Sequence, residues 1–144
     1  MAGPTTAGYA ALAAGEGWRI VGGTDQPDFE SDWGNYHSSG AGPATAFRIR
    51  EAGVVDIHLY VANNVDPTDT TIVVMPEGYR PSVETQVHGA YGVESGVAYA
   101  GYLTVGTNGE VSGTGFNTSV GATVNPAAIL VTGQFYLDPP PLVP

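Results

Sequence analysis

A chain of 144 residues suffices for one domain with a two-layer core. Its 14 acidic residues face four arginines and no lysine, a net charge of −10, which excludes the cationic surface that nucleic acid or an anionic membrane requires. The lack of cysteine excludes disulfides, thiolate nucleophiles and cysteine-based zinc sites, and with only 12% charged against 42% hydrophobic residues the surface calls for cover in an assembly.

Residues 1–15 are small and alanine-rich. Thr5 or Thr6 could cap a short helix over 7–14, which Gly8 weakens, or the segment is an extended arm. It has no positively charged stretch and its apolar run is broken, so the expectation is a product without a signal peptide that stays in the cytoplasm. No apolar run reaches the roughly 18 residues of a membrane helix. Residues 18–21 suit a short strand. Asp25, Asp28, Glu30 and Asp32 follow within eight positions, but without the alternating ligands, glycine and closing glutamate of a calcium loop. They read as a solvated acidic loop. Trp33 and Tyr36 read as core or interface aromatics.

The clearest periodicity runs over 47–61. Phe47, Ile49, Val55, Ile57, Leu59 and Val61 alternate with Arg48, Arg50, Asp56, His58 and Tyr60. Successive strand residues point to opposite faces, so this predicts two strands, each with one apolar and one wet face. Glu51-Ala52-Gly53 breaks the run, and Gly53 can take the positive φ of a short hairpin loop with a bulge. Residues 72–75 predict a third strand, stopped by Pro76, which donates no ladder hydrogen bond. Residues 78–81, Gly-Tyr-Arg-Pro, then turn the chain, with Arg80 placed to pin the turn through a salt bridge.

Beyond this turn Val83, Thr85 and Val87 alternate as a strand, 89–96 reads as a loop, and Tyr99, Leu103 and Val105 mark another strand. Asn108-Gly109 is the strongest hairpin signal in the chain, with Val111 on the return. Residues 112–124 are small and polar, a loop or irregular strand. A last strand over 127–137 carries Ile129, Val131, Phe135 and Leu137 on one side. Pro139, Pro140 and Pro141 must leave the sheet as a stiff, extended tail.

No catalytic pattern accompanies these strands. His37, His58 and His88 share no ligand spacing, and no G-x-S-x-G, P-loop or dinucleotide glycine pattern occurs. The expectation is a chain that is not an enzyme and uses no cofactor or metal.

Gly17-Trp18, Trp33 with Asn35-Tyr36, the GVVDIHL run over 53–59, MPEGYRP over 75–81 and the hairpin over 103–111 recur in one order. That order resembles a small β-sandwich domain of bacteriophage virion proteins, in which a GVV-type strand is followed by LPxGYRP. The resemblance covers roughly residues 17–136. It implies an all-β, antiparallel sandwich over 17–137, with an arm over 1–16 and a proline-rich tail over 138–144. It also implies a virion structural protein assembled in the host cytoplasm, most simply a capsid decoration protein. Its partners would be copies of itself, as a homotrimer, and the major capsid protein. The alternative is a tail-fibre or tail-tip domain that binds host surface glycan. Trp18, Trp33, Tyr36, Tyr79, Arg80, Pro139, Pro140 and Pro141 are the structural and interface candidates.

Overall fold

Apolar residues on every second position of 55–61 make a strand that buries one face against the rest of the chain. In the computed structural model, which describes residues 16–37, 42–51, 53–63, 65 and 71–138, this strand is the longest-paired of nine. The strands are β1 (Arg19–Ile20), β2 (Gly34–Asn35), β3 (Ala46–Glu51), β4 (Val54–Ala62), β5 (Thr71–Val74), β6 (Thr85–Glu94), β7 (Val97–Val105), β8 (Glu110–Thr114) and β9 (Ala128–Tyr136). The described residues contain no helix, and every strand pairing is antiparallel.

The order across the sheet is β1-β3-β4-β9-β6-β7-β8-β5, with β2 also on β4. The expected all-β class and antiparallel pairing are what the chain adopts. The hydrogen bonding, however, runs through one continuous curled sheet, where the sandwich expectation called for two separate ones. The curl brings the far ends together. Phe29 bridges to Val73 of β5, and the N–H of Glu30 donates to the carbonyl of Ile72 (2.8 Å). A few residues later β2 joins β4. The acidic segment around 25–32 is therefore a strap between β5 and β4, although its carboxylates are largely solvated as expected.

The β3–β4 register matches the alternation. Phe47, Ile49, Val55, Ile57, Leu59 and Val61 are buried, while Asp56, His58 and Tyr60 are half-exposed on the outer face. Gly53 has φ +85° and a bulge follows Ile49, as the hairpin requires. The core gathers these residues with Ile72, Val73, Met75, Tyr79, Leu103, Val105, Val111, Ile129, Val131 and Phe135.

Several stretches differ from the expectation. Val83, read as the first residue of a strand, stands exposed in the bend before β6, which begins at Thr85. Residues 89–94, read as loop, continue β6, because Gly89 at φ +87° absorbs one extra residue as a bulge and the ladder resumes at Ala90. Phe116, within a stretch that looked too small and polar for a core, is buried. Three glycines on adjacent strands make its seat: a Cβ on Gly92, Gly101 or Gly113 would lie 2.8, 2.5 or 3.0 Å from its ring. At the domain's outer limits, Glu16 is bonded to β3, and Asp138 accepts a hydrogen bond from the Ser82 hydroxyl (3.1 Å). The arm over 1–15 and the prolines 139–141 lie outside the described residues.

Replacing Leu59 by Ala removes a fully buried side chain at the middle of the best-paired strand. It should destabilise the domain by about 2–5 kcal/mol, whereas His58→Ala on the opposite face should cost less than about 1 kcal/mol. Chemical denaturation of the two variants checks this; equal losses would mean that the register is wrong.

Candidate functional site

The residues that could do something beyond folding collect around β1, β3 and the exposed face of β4. Their scaffold is a buried polar anchor. Tyr79, in the turn after β5, is buried edge-on against Phe47 (ring centroids 5.1 Å, 80°). Its hydroxyl donates to Glu16 Oε1 (2.7 Å). The same carboxylate accepts from the Ile49 N–H (2.9 Å) and from Arg19 Nε (3.3 Å) and Nη2 (3.1 Å). The Arg19 guanidinium also lies 5.5 Å from the Tyr79 ring centroid.

Burial alone would raise the Glu16 carboxyl, but hydrogen bonds from Arg19, the Ile49 N–H and Tyr79 outweigh it and hold it below its ordinary value. Burial, then the bond to Glu16, pushes the Tyr79 hydroxyl well above the ordinary tyrosine range. The turn itself is pinned by Arg80, whose Nε donates to the Met75 carbonyl (2.8 Å). That is a backbone hydrogen bond in place of the expected salt bridge: among the described residues no carboxylate pairs with Arg80.

Above this anchor an aromatic row crosses the outer face. Trp18 (43% exposed) stands 6.3 Å from His58, His58 4.5 Å from Tyr60, Tyr60 6.5 Å from His37, and His37 4.9 Å edge-on from Tyr36 (46% exposed), all between ring centroids. Burial lowers the His58 imidazole below its ordinary value, so it is neutral at pH 7. Alternation on β4 places His58 and Tyr60 here, and β1 and β2 bring Trp18 and Tyr36 to either end.

Beside the row runs a short charged ladder. Arg48 Nε and Arg50 Nε each donate to Asp56 (3.2 and 3.1 Å), and Arg50 Nη2 donates to Gln134 on β9 (2.6 Å). The Arg48 guanidinium also covers the Trp18 ring at 4.3 Å, which fixes the indole. Three of the four arginines thus lie on this edge, each paired with a carboxylate. On the other side of Trp18 opens a shallow cleft of about 380 Å³ lined by Glu16, Arg19, Ile20, Thr24 and Gln26.

Of the sequence candidates, the structure brings Trp18 and Tyr36 to this face, buries Tyr79 beneath it, and sets Arg80 in the turn. Trp33 is buried in the core next to a small apolar cavity of about 160 Å³ under the 115–126 segment. Pro139, Pro140 and Pro141 lie outside the described residues. Sequence reasoning missed Glu16, and it did not place Arg48, Asp56, His58, Tyr60 or His37 at a site. Glu16 sits 33 and 63 positions from two of its partners, and no local pattern carries such a signal. Among the described residues no group of three or more His, Asp or Glu is placed to hold a metal ion.

No family model, curated protein or solved structure matches the chain.

The anchor makes stability depend on pH at both ends. Glu16 has a lowered folded value, so its contribution is present above the ordinary carboxyl value of 4.5 and is lost as pH falls below it through the lowered folded value. Tyr79 has a raised value, so its contribution is present below the ordinary 10.0 and is lost as pH rises beyond it. Thermal unfolding followed across pH should show a plateau that falls away on both sides. Glu16→Gln should flatten the acid limb and Tyr79→Phe the alkaline one. Unchanged limbs in both variants would remove the anchor from the account.

Proposed function

We propose that the chain is a structural subunit of a bacteriophage particle, a decoration protein without enzymatic activity that seats on the head through the outer face of β1, β3 and β4. The observation that carries this reading is the make-up of that face. Trp18, Tyr36, His58 and Tyr60 stand exposed or half-exposed beside Arg48 and Arg50, whose two charges Asp56 and Glu51 offset, in a chain of net charge −10. Protein interfaces concentrate Trp, Tyr and Arg, exclude Lys, and keep unpaired charge from their centres. The resemblance of the GVV…GYRP order to virion domains supplies the particle. The partners are then the major capsid protein and copies of this chain, as a homotrimer on the head, and the location is the virion.

A second reading rests on a different observation. Trp18 lines the cleft together with Thr24 and Gln26, and an aromatic residue beside polar ones suits the stacked, hydrogen-bonded hold of a sugar. That favours a tail-tip domain that binds a host surface glycan.

Heads assembled without the subunit, incubated with purified protein and sedimented, separate the two. The wild type should decorate the heads, and Trp18→Ala with Tyr36→Ala should weaken decoration by roughly tenfold or more, each exposed aromatic being worth on the order of 1 kcal/mol or above at an interface. The variants' thermal unfolding should stay close to wild type. Binding to host cell polysaccharide without binding to heads moves the reading to the tail tip, and binding to neither overturns both.

A further inference from the structure

We propose that two copies of this chain join edge to edge along β7, antiparallel, through residues 97–101. The contact does not depend on the virion role and differs from the threefold one that the resemblance implies.

On one side β7 is paired along its whole length with β6, from Val97↔Glu94 to Val105↔Thr85. On the other side β8 reaches only Tyr102 to Val105. Residues 97–101 therefore form an edge with no strand beside it among the described residues. The turn at Ser95-Gly96 has φ +52° and +77°, the two-residue hairpin of primed type. In such a hairpin the flanking pair Glu94/Val97 is hydrogen-bonded, and so is Gly92/Tyr99 two residues on. Alternation then turns the N–H and C=O groups of Ala98 and Ala100 away from β6. Both residues are exposed.

Two other edges are covered in part among the described residues. β3 is covered by β1 and by Glu16, whose N–H donates to the Ile49 carbonyl (3.1 Å), and β5 is covered by Phe29. Monomeric proteins guard open edges with charges, prolines or bulges. Val97-Ala98-Tyr99-Ala100-Gly101 carries neither charge nor proline, and the nearest bulge, at Gly89, lies on β6.

The occupant that fits is a second copy. A chain of net charge −10 repels itself, so an edge without charge is where copies meet at least cost. The nearest carboxylate, Glu94, is turned back to the Ala127 N–H (3.1 Å) and the Ser95 hydroxyl (3.3 Å). An antiparallel edge is complementary to itself about a twofold axis. With the axis at Tyr99, Ala98 faces Ala100 of the other copy and the two residues supply about four N–H···O=C bonds. The small alanine side chains leave room beside them. Tyr91 (58% exposed), directly across the β6–β7 ladder from Ala100, and Val97 (50% exposed) provide apolar surface to cover.

Sedimentation equilibrium of the purified full chain should show reversible dimers that tighten with salt, because salt screens the mutual repulsion. Ala98→Pro deletes one outward donor and no bond to β6, and should weaken the dimer by roughly tenfold. As a second measurement, the chain Ala98→Cys/Ala100→Cys, exposed to oxidised glutathione, should form a disulfide-linked dimer, since directly opposed residues come within bridging distance. Val120→Cys, on an exposed loop, should not. A wild type that stays monomeric at about 100 μM with no cross-link in the double-cysteine chain overturns the proposal. So does association that Ala98→Pro leaves unchanged.

Discussion

The carboxylate of Glu16 accepts hydrogen bonds from three places far apart in the chain: Arg19 in β1, the backbone of Ile49 in β3, and the hydroxyl of Tyr79 in the turn after β5. β3 and β5 sit near opposite ends of the sheet order, so this one group joins what the curl brings together. The arrangement is consistent because each member needs the others. A buried phenol without an acceptor, or a half-buried carboxylate without donors, costs on the order of 1–3 kcal/mol. Together they are satisfied, and the Phe47–Tyr79 edge contact adds roughly 0.5–1.5 kcal/mol beyond area burial.

The curl also decides which face can act outward. Its inside is filled by one continuous apolar cluster, from Phe47 through Leu59 and Ile72 to Phe135. The outside of β3 and β4 is where the aromatic row and the arginines stand. The Arg48–Asp56–Arg50 ladder adds little stability, since exposed pairs are worth about 0–1 kcal/mol. Its effect is on shape and field. It locks the Trp18 indole under a guanidinium and, with Glu51 paired to Arg50, keeps this face near neutral in a strongly acidic chain.

Sheet edges pose the complementary constraint. Short elements cover parts of them: β1, only two residues long, pairs with Ala46 and Phe47 of β3, and the strap bridges β5 at Phe29–Val73. The open edge at 97–101 arises because β8 ends at Thr114 and the chain then turns inward at Phe116, over the glycine seat. The burial of Phe116 and the openness of β7 are thus two results of one bend.

By itself the sequence determined the all-β class, most strands and the register of the central hairpin. These follow from period-two alternation at 47–61 and from turn chemistry at Gly53, Pro76 and Asn108-Gly109, all local rules that a stretch of a few residues obeys on its own. Only the tertiary structure decided that the strands close into one curled sheet, that β6 runs on through Gly89, and that Trp33 is core while Trp18 and Tyr36 stand outside. It alone assembled Glu16 with Tyr79 and His37 with Tyr60. Those outcomes depend on contacts between residues tens of positions apart, and a side chain's exposure depends on what the rest of the chain lays over it. No local pattern around Trp18 or Glu16 carries that information, because their neighbours in space are not their neighbours in sequence.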